Sequence, residues 1–193
     1  RCSAAPWLGS GGGVAARAAP AGFFCPVTRD MLNAALYDCK GPVALRYPRG
    51  GEGEYRSGGA LTVRTFGEGT DAAIVVYGTM INEAVAAQRS LAAEGINVRI
   101  VKLGRICPLP ADEIAQSLRT DKVVVAEEVC AAGCVGGRLV SEAALAGRVL
   151  KARLLNLGSG IVGQGTTAEL RGACGIDAPA IASAVKELVC NEG

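Results

Sequence analysis

Arg46 and Arg49 bracket Tyr47-Pro48 at the end of the run Gly41-Pro42-Val43-Ala44-Leu45-Arg46-Tyr47-Pro48-Arg49-Gly50. A guanidinium is a planar fork with two parallel donors, which suits it to phosphate and carboxylate oxygens. Proline fixes its own φ and pushes the residue before it into an extended conformation. Tyr47 therefore stays extended, and both arginines fall at the carboxyl end of a short strand over Val43–Arg46. Open α/β sheets bind ligands at that end of their strands. The alternative is a strand end with two solvated arginines.

Other residues with chemical potential are fewer. The chain has no histidine, so no side chain has an unperturbed pKa near neutrality. General acid–base work would fall to carboxylates, a tuned lysine or another polypeptide. Gly78-Thr79 and the stretch Gly133–Gly137 each lie between an expected strand and an expected helix, where free backbone donors can hold an anion. Neither has the spacing of a dinucleotide fingerprint or a phosphate-binding loop with its lysine. Glu127 and Glu128 end a strand, and one of them points inward, to act chemically, to cap a helix or to pair with an arginine across an interface. Cys130 and Cys134 form the only close cysteine pair, and with no histidine and no second pair a zinc site is not expected. The sequence thus nominates no catalytic, cofactor-binding or metal-binding residue of its own.

The elements that would position these groups follow from periodicity. Thr28 is placed to cap a helix over 29–39 with Met31, Leu32, Ala35 and Leu36 on its apolar face. Glycines and charges at 51–59 read as a linker. From Leu61 onward apolar strands alternate with helices: strands over Leu61–Phe66, Ala72–Tyr77, Val98–Leu103, Lys122–Ala126 and Leu150–Leu157. Helices are expected over 80–94, from Pro110, over 138–146, near 167–172 and over 178–190. Valine-rich buried strands alternating with helices predict a three-layer α/β/α sandwich around a mostly parallel five-stranded sheet, over about residues 60–193. Residues 1–24, rich in Ala, Gly, Arg and Pro, form an irregular lead segment outside it.

Bulk properties narrow the function classes. Half of the 193 residues are hydrophobic but only 4% aromatic, so the core is aliphatic. A net charge of +2 and the absence of basic runs with interleaved aromatics argue against nucleic acid. No apolar run reaches the roughly 18 residues that span a bilayer, and no secretory leader is evident. The 8 cysteines are scattered, which fits reduced thiols and a cytoplasmic location.

With these segments placed, the chain resembles the carboxyl-terminal portion of the 1-deoxy-D-xylulose-5-phosphate synthases, thiamine-diphosphate enzymes of the transketolase superfamily. The resemblance rests on CPVTRDMLNAAL, GPVALRYPRG, AAIVVYGTMINEAVAA, VRIVKLGRICPLP, VVVAEEVCAAGCVGG and GQGTTAELRGACGIDA, in that order over about residues 25–190. GPVALRYPRG is the most specific. The strand-Gly-Thr-helix and strand-Glu-Glu segments also occur in transketolases and in beta subunits of 2-oxoacid dehydrogenases. Residues 1–24 and the short Ser159-Gly160-Ile161-Val162-Gly163 stretch depart from the pattern.

The resemblance implies that residues 25–50 are the tail of a pyrimidine-binding domain and 60–193 a transketolase C-terminal domain. It implies Arg49 as a substrate-phosphate ligand, with Arg46 the secondary candidate. The family's full enzyme uses thiamine diphosphate and Mg²⁺, condenses pyruvate with glyceraldehyde 3-phosphate, and feeds isoprenoid and thiamine synthesis. Its metal motif, catalytic glutamate and histidines would lie upstream of this sequence. This region alone is therefore expected to be inactive, packing on its own pyrimidine-binding domain and on a second protomer of a homodimer. A stand-alone or split-subunit interaction module, or a beta-subunit-type half, is the alternative.

Overall fold

The computed structural model describes residues 31–44 and 63–190. The boundaries expected at 24/25 and 50/51, the linker at 51–59, and both Arg46 and Arg49 lie outside the described residues.

The strand with the most apolar sequence takes the centre. β2 (Ala72–Tyr77) is buried along its whole length, as is the stretch Val123–Ala126 of β4 (Lys122–Ala126). With β3 (Val98–Leu103), β5 (Lys151–Leu155) and β1 (Arg64–Phe66) they form one five-stranded sheet in the order β1-β3-β2-β4-β5. All neighbours are parallel except β1, which runs antiparallel to β3 at one edge. β5, at the other edge, exposes Lys151 and Arg153, and charged side chains of this kind deter edge-to-edge pairing with other sheets.

The two faces of the sheet carry separate cores, because alternate strand residues point to opposite sides. Ile74, Val76, Ile100 and Val124 pack against α1 (Met80–Ala93) and α5 (Ala178–Cys190) through Ile81, Ala84, Leu91, Ile181 and Val185. Ala73, Val75, Val101 and Val125 pack against α2 (Ala111–Leu118) and α3 (Val135–Leu145) through Ile114, Leu118, Val135 and Leu139. This is the expected α/β/α sandwich. α1 ends where Gly95 takes a φ of 82°, with the Gly95 and Ile96 N–H groups bonded to the carbonyls of Ala92 and Leu91.

Two expectations need correction. α3 begins at Val135 rather than near 138, because Cys134 caps it and Gly136 and Gly137 lie inside its first turn. The helix expected over 29–39 is α-helical at Met31–Asn33 but widens to a π-helical turn over Ala34–Asp38. Its buried residues are Met31 and Ala34, whereas Leu32 and Leu36 are exposed, so the apolar face expected from Leu32 and Leu36 is not the one that packs. The strand expected over Val43–Arg46 is described only as far as Ala44, which forms a β-bridge; Leu45 and Arg46 lie outside the described residues.

The chain leaves β2 through α1 on one face to reach β3, and leaves β4 through α3 on the other face to reach β5. The strand order therefore reverses at the carboxyl ends of the adjacent strands β2 and β4. Sheets of this kind place their ligand crevice at that reversal.

Candidate functional site

Tyr77, Gly78 and Thr79 end β2, and Glu127 and Glu128 follow β4, so the glycine junctions and the glutamate pair singled out above meet at the reversal. What they build is closed from within.

Glu127 is fully buried. Its two oxygens accept the Val135 and Gly136 N–H groups, each at 2.9 Å, and Tyr77 Oη donates to Oε2 at 3.0 Å. An isolated buried carboxylate is very costly, but two backbone donors and the positive end of a helix dipole stabilise it. The thiol of Cys134 accepts the next donor, the Gly137 N–H, at 3.3 Å. The anion-binding capacity of Gly133–Gly137 is thus occupied by the protein's own carboxylate and sulfur. Gly136 is needed for this closeness: a Cβ there would lie 2.7 Å from Leu154 Cδ2 and 3.1 Å from Glu127 Oε1.

On the other side of the reversal, Arg171 enters from α4 (Thr167–Ala173). Its Nε donates to Glu128 Oε1 at 2.7 Å, Nη1 to Glu83 Oε1 at 3.0 Å and Nη2 to Thr79 Oγ1 at 2.9 Å. Glu83 also accepts the Ala178 N–H at 3.0 Å, at the start of α5. Burial alone would lower the guanidinium's pKa. The hydrogen bond and charge of Glu128, with those of Glu83, outweigh burial and leave it raised, so Arg171 stays cationic. Thr79 precedes α1 with a helical backbone (φ −74°, ψ −13°) and makes no side-chain cap to it; its hydroxyl oxygen accepts from Arg171 instead.

These two clusters hold α1, α3, α4 and α5 to the carboxyl edge of the sheet. Glu127 takes the capping role, and Glu128 pairs with Arg171 of the same chain rather than with an arginine across an interface. Arg171 and the capping thiol of Cys134 were not anticipated from sequence. The signal for Arg171 was faint: a Thr-x-x-Glu capping box at Thr166–Glu169 that starts α4.

Among the described residues no group of three or more His, Cys, Asp or Glu is placed to hold a metal ion. No helix there is long and apolar enough to cross a membrane. A cavity of about 380 Å³ lies beside the start of α3, lined by Cys134, Arg138, Ser141 and Glu142. The six described cysteines are free thiols.

Comparison with known proteins agrees with this architecture. The chain is 35% identical, over 82% of its length, to a 1-deoxy-D-xylulose-5-phosphate synthase of Chlorobium phaeovibrioides, and covers 26% of that protein. It is 32% identical to a 1-deoxy-D-xylulose-5-phosphate synthase 1 of Geobacter sulfurreducens, over 86% of this chain and 27% of the relative. The chain therefore spans about a quarter of the length of these curated relatives. A solved structure described as a split gene transketolase, inactive beta4 tetramer, superposes with a TM-score of 0.77 at 25% identity, over 93% of this chain and 58% of the other. Residues 61–181 match the family described as transketolase, C-terminal domain, and the chain belongs to that family.

Proposed function

We propose that the chain is the carboxyl-terminal region of a 1-deoxy-D-xylulose-5-phosphate synthase. Such an enzyme joins pyruvate to glyceraldehyde 3-phosphate with loss of carbon dioxide. The reading is carried by the 35% identity, over 82% of the chain, to a protein of that name. Within it, residues 60–193 serve as a structural and dimer-forming domain, and residues 25–50 complete a pyrimidine-binding domain. Arg49 binds the substrate phosphate, with Arg46 as its secondary partner. The enzyme is a cytoplasmic homodimer.

Thiamine diphosphate and Mg²⁺ do not fit the described residues. The helix-terminal donors of α3 are satisfied by Glu127 and Cys134, and the reversal crevice holds Arg171 between its carboxylates. We assign cofactor binding to the part of the enzyme outside this sequence, and take this polypeptide to be inactive by itself. The test is direct: supply it with thiamine diphosphate, Mg²⁺, pyruvate and glyceraldehyde 3-phosphate. Background turnover is expected, and sustained product formation would overturn the reading.

In the full-length enzyme, Arg49→Ala should weaken use of glyceraldehyde 3-phosphate more than use of pyruvate. The loss of a charge-assisted contact corresponds to about 1.5–3 kcal/mol in the ratio of kcat/KM values. Equal losses for both substrates would make Arg49 structural.

A second reading, a separately encoded subunit that binds a catalytic partner, draws support from the split-gene transketolase with which the chain superposes. The reading frame upstream distinguishes the two. A continuous frame encoding a Gly-Asp-Gly motif and a histidine-rich cofactor region supports the synthase region; a start codon near residue 1 supports the subunit.

A further inference from the structure

Of the seven large apolar side chains that stand exposed among the described residues, three fall within one short helical segment: Leu32 is 47% exposed, Leu36 62% and Tyr37 81%. Single exposed apolar residues are ordinary, but a contiguous group marks a contact surface. The backbone makes this group contiguous. In an α-helix Leu36 lies over Leu32, one turn on, while Tyr37 points well to the side. Here the chain widens into a π-helical turn over Ala34–Asp38, and the extra residue in the turn swings Tyr37 back toward Leu32. Such turns are rare and are frequent at functional sites. Met31 and Ala34 occupy the other, buried side.

The sandwich leaves this face uncovered. Neither of its two cores includes any of the three residues, and the match to the C-terminal domain family begins only at residue 61. A helical segment this short is stable through packing rather than through its own hydrogen bonds. A second copy of the chain is a poor occupant. Three side chains offer only a few hundred Å², whereas a stable interface takes about 800 Å² from each partner. A further part of the same polypeptide needs less area, because its attachment supplies a high effective concentration. Such a part is available: the chain spans 26% of one curated relative, and 58% of the split gene transketolase with which it superposes.

We propose that Leu32, Leu36 and Tyr37 form the docking face for the remainder of the synthase polypeptide. That remainder presents an apolar surface there, with a hydrogen-bond acceptor at its rim for the Tyr37 hydroxyl. The assignment deepens the reading of residues 25–50 as the completion of a pyrimidine-binding domain, and depends on it.

The test follows amide hydrogen exchange over residues 31–38 in the 193-residue chain and in the full-length polypeptide. In the chain alone these amides should exchange fast, at a rate that does not change with protein concentration. In the full-length polypeptide they should exchange about tenfold or more slowly. Leu36→Asp should abolish that protection while β2 and β4 stay protected, and Tyr37→Phe should remove only part of it. Leu36→Ala keeps the test readable if the aspartate stops the full-length protein from folding: partial loss confined to 31–38 supports the proposal, and no loss overturns it. Equal exchange in the two wild-type polypeptides would overturn it as well. Protection of the chain alone that grows with concentration would hand the face to a second copy, with the same result. The synthase reading falls instead on the turnover assay or the upstream reading frame, so the two failures are distinguishable.

Discussion

Two strand-to-helix junctions sit side by side at the carboxyl edge of the sheet, and their helix starts are served in opposite ways. Where β4 passes into α3, a buried carboxylate and a thiol from the same stretch of chain close the helix start: Glu127 and Gly136 are nine residues apart. Where β2 passes into α1, Thr79 gives its hydroxyl to Arg171, 92 residues later, and leaves its own helix without a side-chain cap. The backbone donors of the first junction are capped from within its own loop, with Tyr77 of β2 adding one further bond to Glu127. The second waits for α4, a short helix with no buried residue. A glycine between strand and helix is therefore no guide to whether a site is open, local or borrowed from afar.

The largest expected effect is at the local junction. Glu127→Ala would strand the two helix-terminal N–H groups of Val135 and Gly136 in a dry interior, a loss of about 3–5 kcal/mol. Glu127→Gln keeps one acceptor but turns an amide N–H toward a backbone N–H, so it should be destabilising by about half as much. Urea unfolding with an unchanged denaturant dependence is the measurement. A loss below about 1 kcal/mol for the alanine variant would show that water can take over the cap.

This contrast also explains what was legible in the sequence. Central strands were readable because residues buried on both faces, as in Val123-Val124-Val125, leave an unbroken apolar run. The α1 boundaries followed from Thr79 and Gly95. The start of α3 was not readable, because Gly136-Gly137 carries a helix-breaking propensity that the Glu127 cap and the close approach of Leu154 override. A cysteine N-cap is outside the residue types preferred there. The charge of Glu128 was visible, but its partner was not: 43 residues separate it from Arg171, and only the folded topology joins them. Leu32 and Leu36 misled for a related reason. They fit a helical stripe, yet Leu36 falls in the π-helical turn and both are exposed, while Met31 and Ala34 are the residues that are buried.

Arg171→Ala should do less than Glu127→Ala, because Glu83 and Glu128 are each about a quarter to a third exposed and water can solvate them once unpaired. Two carboxylates facing each other without their cation should still destabilise the domain by about 1–3 kcal/mol. The loss should be uneven. Amides of α4 and of the first turn of α5, where Ala178 bonds to Glu83, should exchange faster, while those of α3 stay protected. Uniform acceleration across both junctions would mean that they form one cooperative unit, and the distinction between local and borrowed closure would fail.

The smallest effect concerns the helix that carries Arg171. Glu169 accepts the Thr166 N–H at 2.8 Å and the Thr166 hydroxyl at 2.8 Å, and the Thr166 oxygen accepts the Glu169 N–H at 3.3 Å. The backbone bond first, and the hydroxyl second, hold the Glu169 carboxyl below its ordinary pKa, against a slight opposing effect of burial. Because the folded value lies below the unfolded one, this contribution is present above the ordinary carboxylate pKa of about 4.3 and is lost as the pH falls through the folded value. Acid alone does not isolate the box, because other carboxylates, Glu83 and Glu128 among them, face Arg171 on the same helix. Thr166→Ala isolates it, since it removes the box at every pH at a cost of about 1 kcal/mol to α4. Backbone chemical shifts of α4, followed from neutral pH to about pH 3, should show an early fraying step in the wild type that the variant already displays at neutral pH. If Thr79 and Glu128 respond to that fraying while Val135 and Gly136 do not, the borrowed junction is only as secure as the capping box of the helix that lends the arginine.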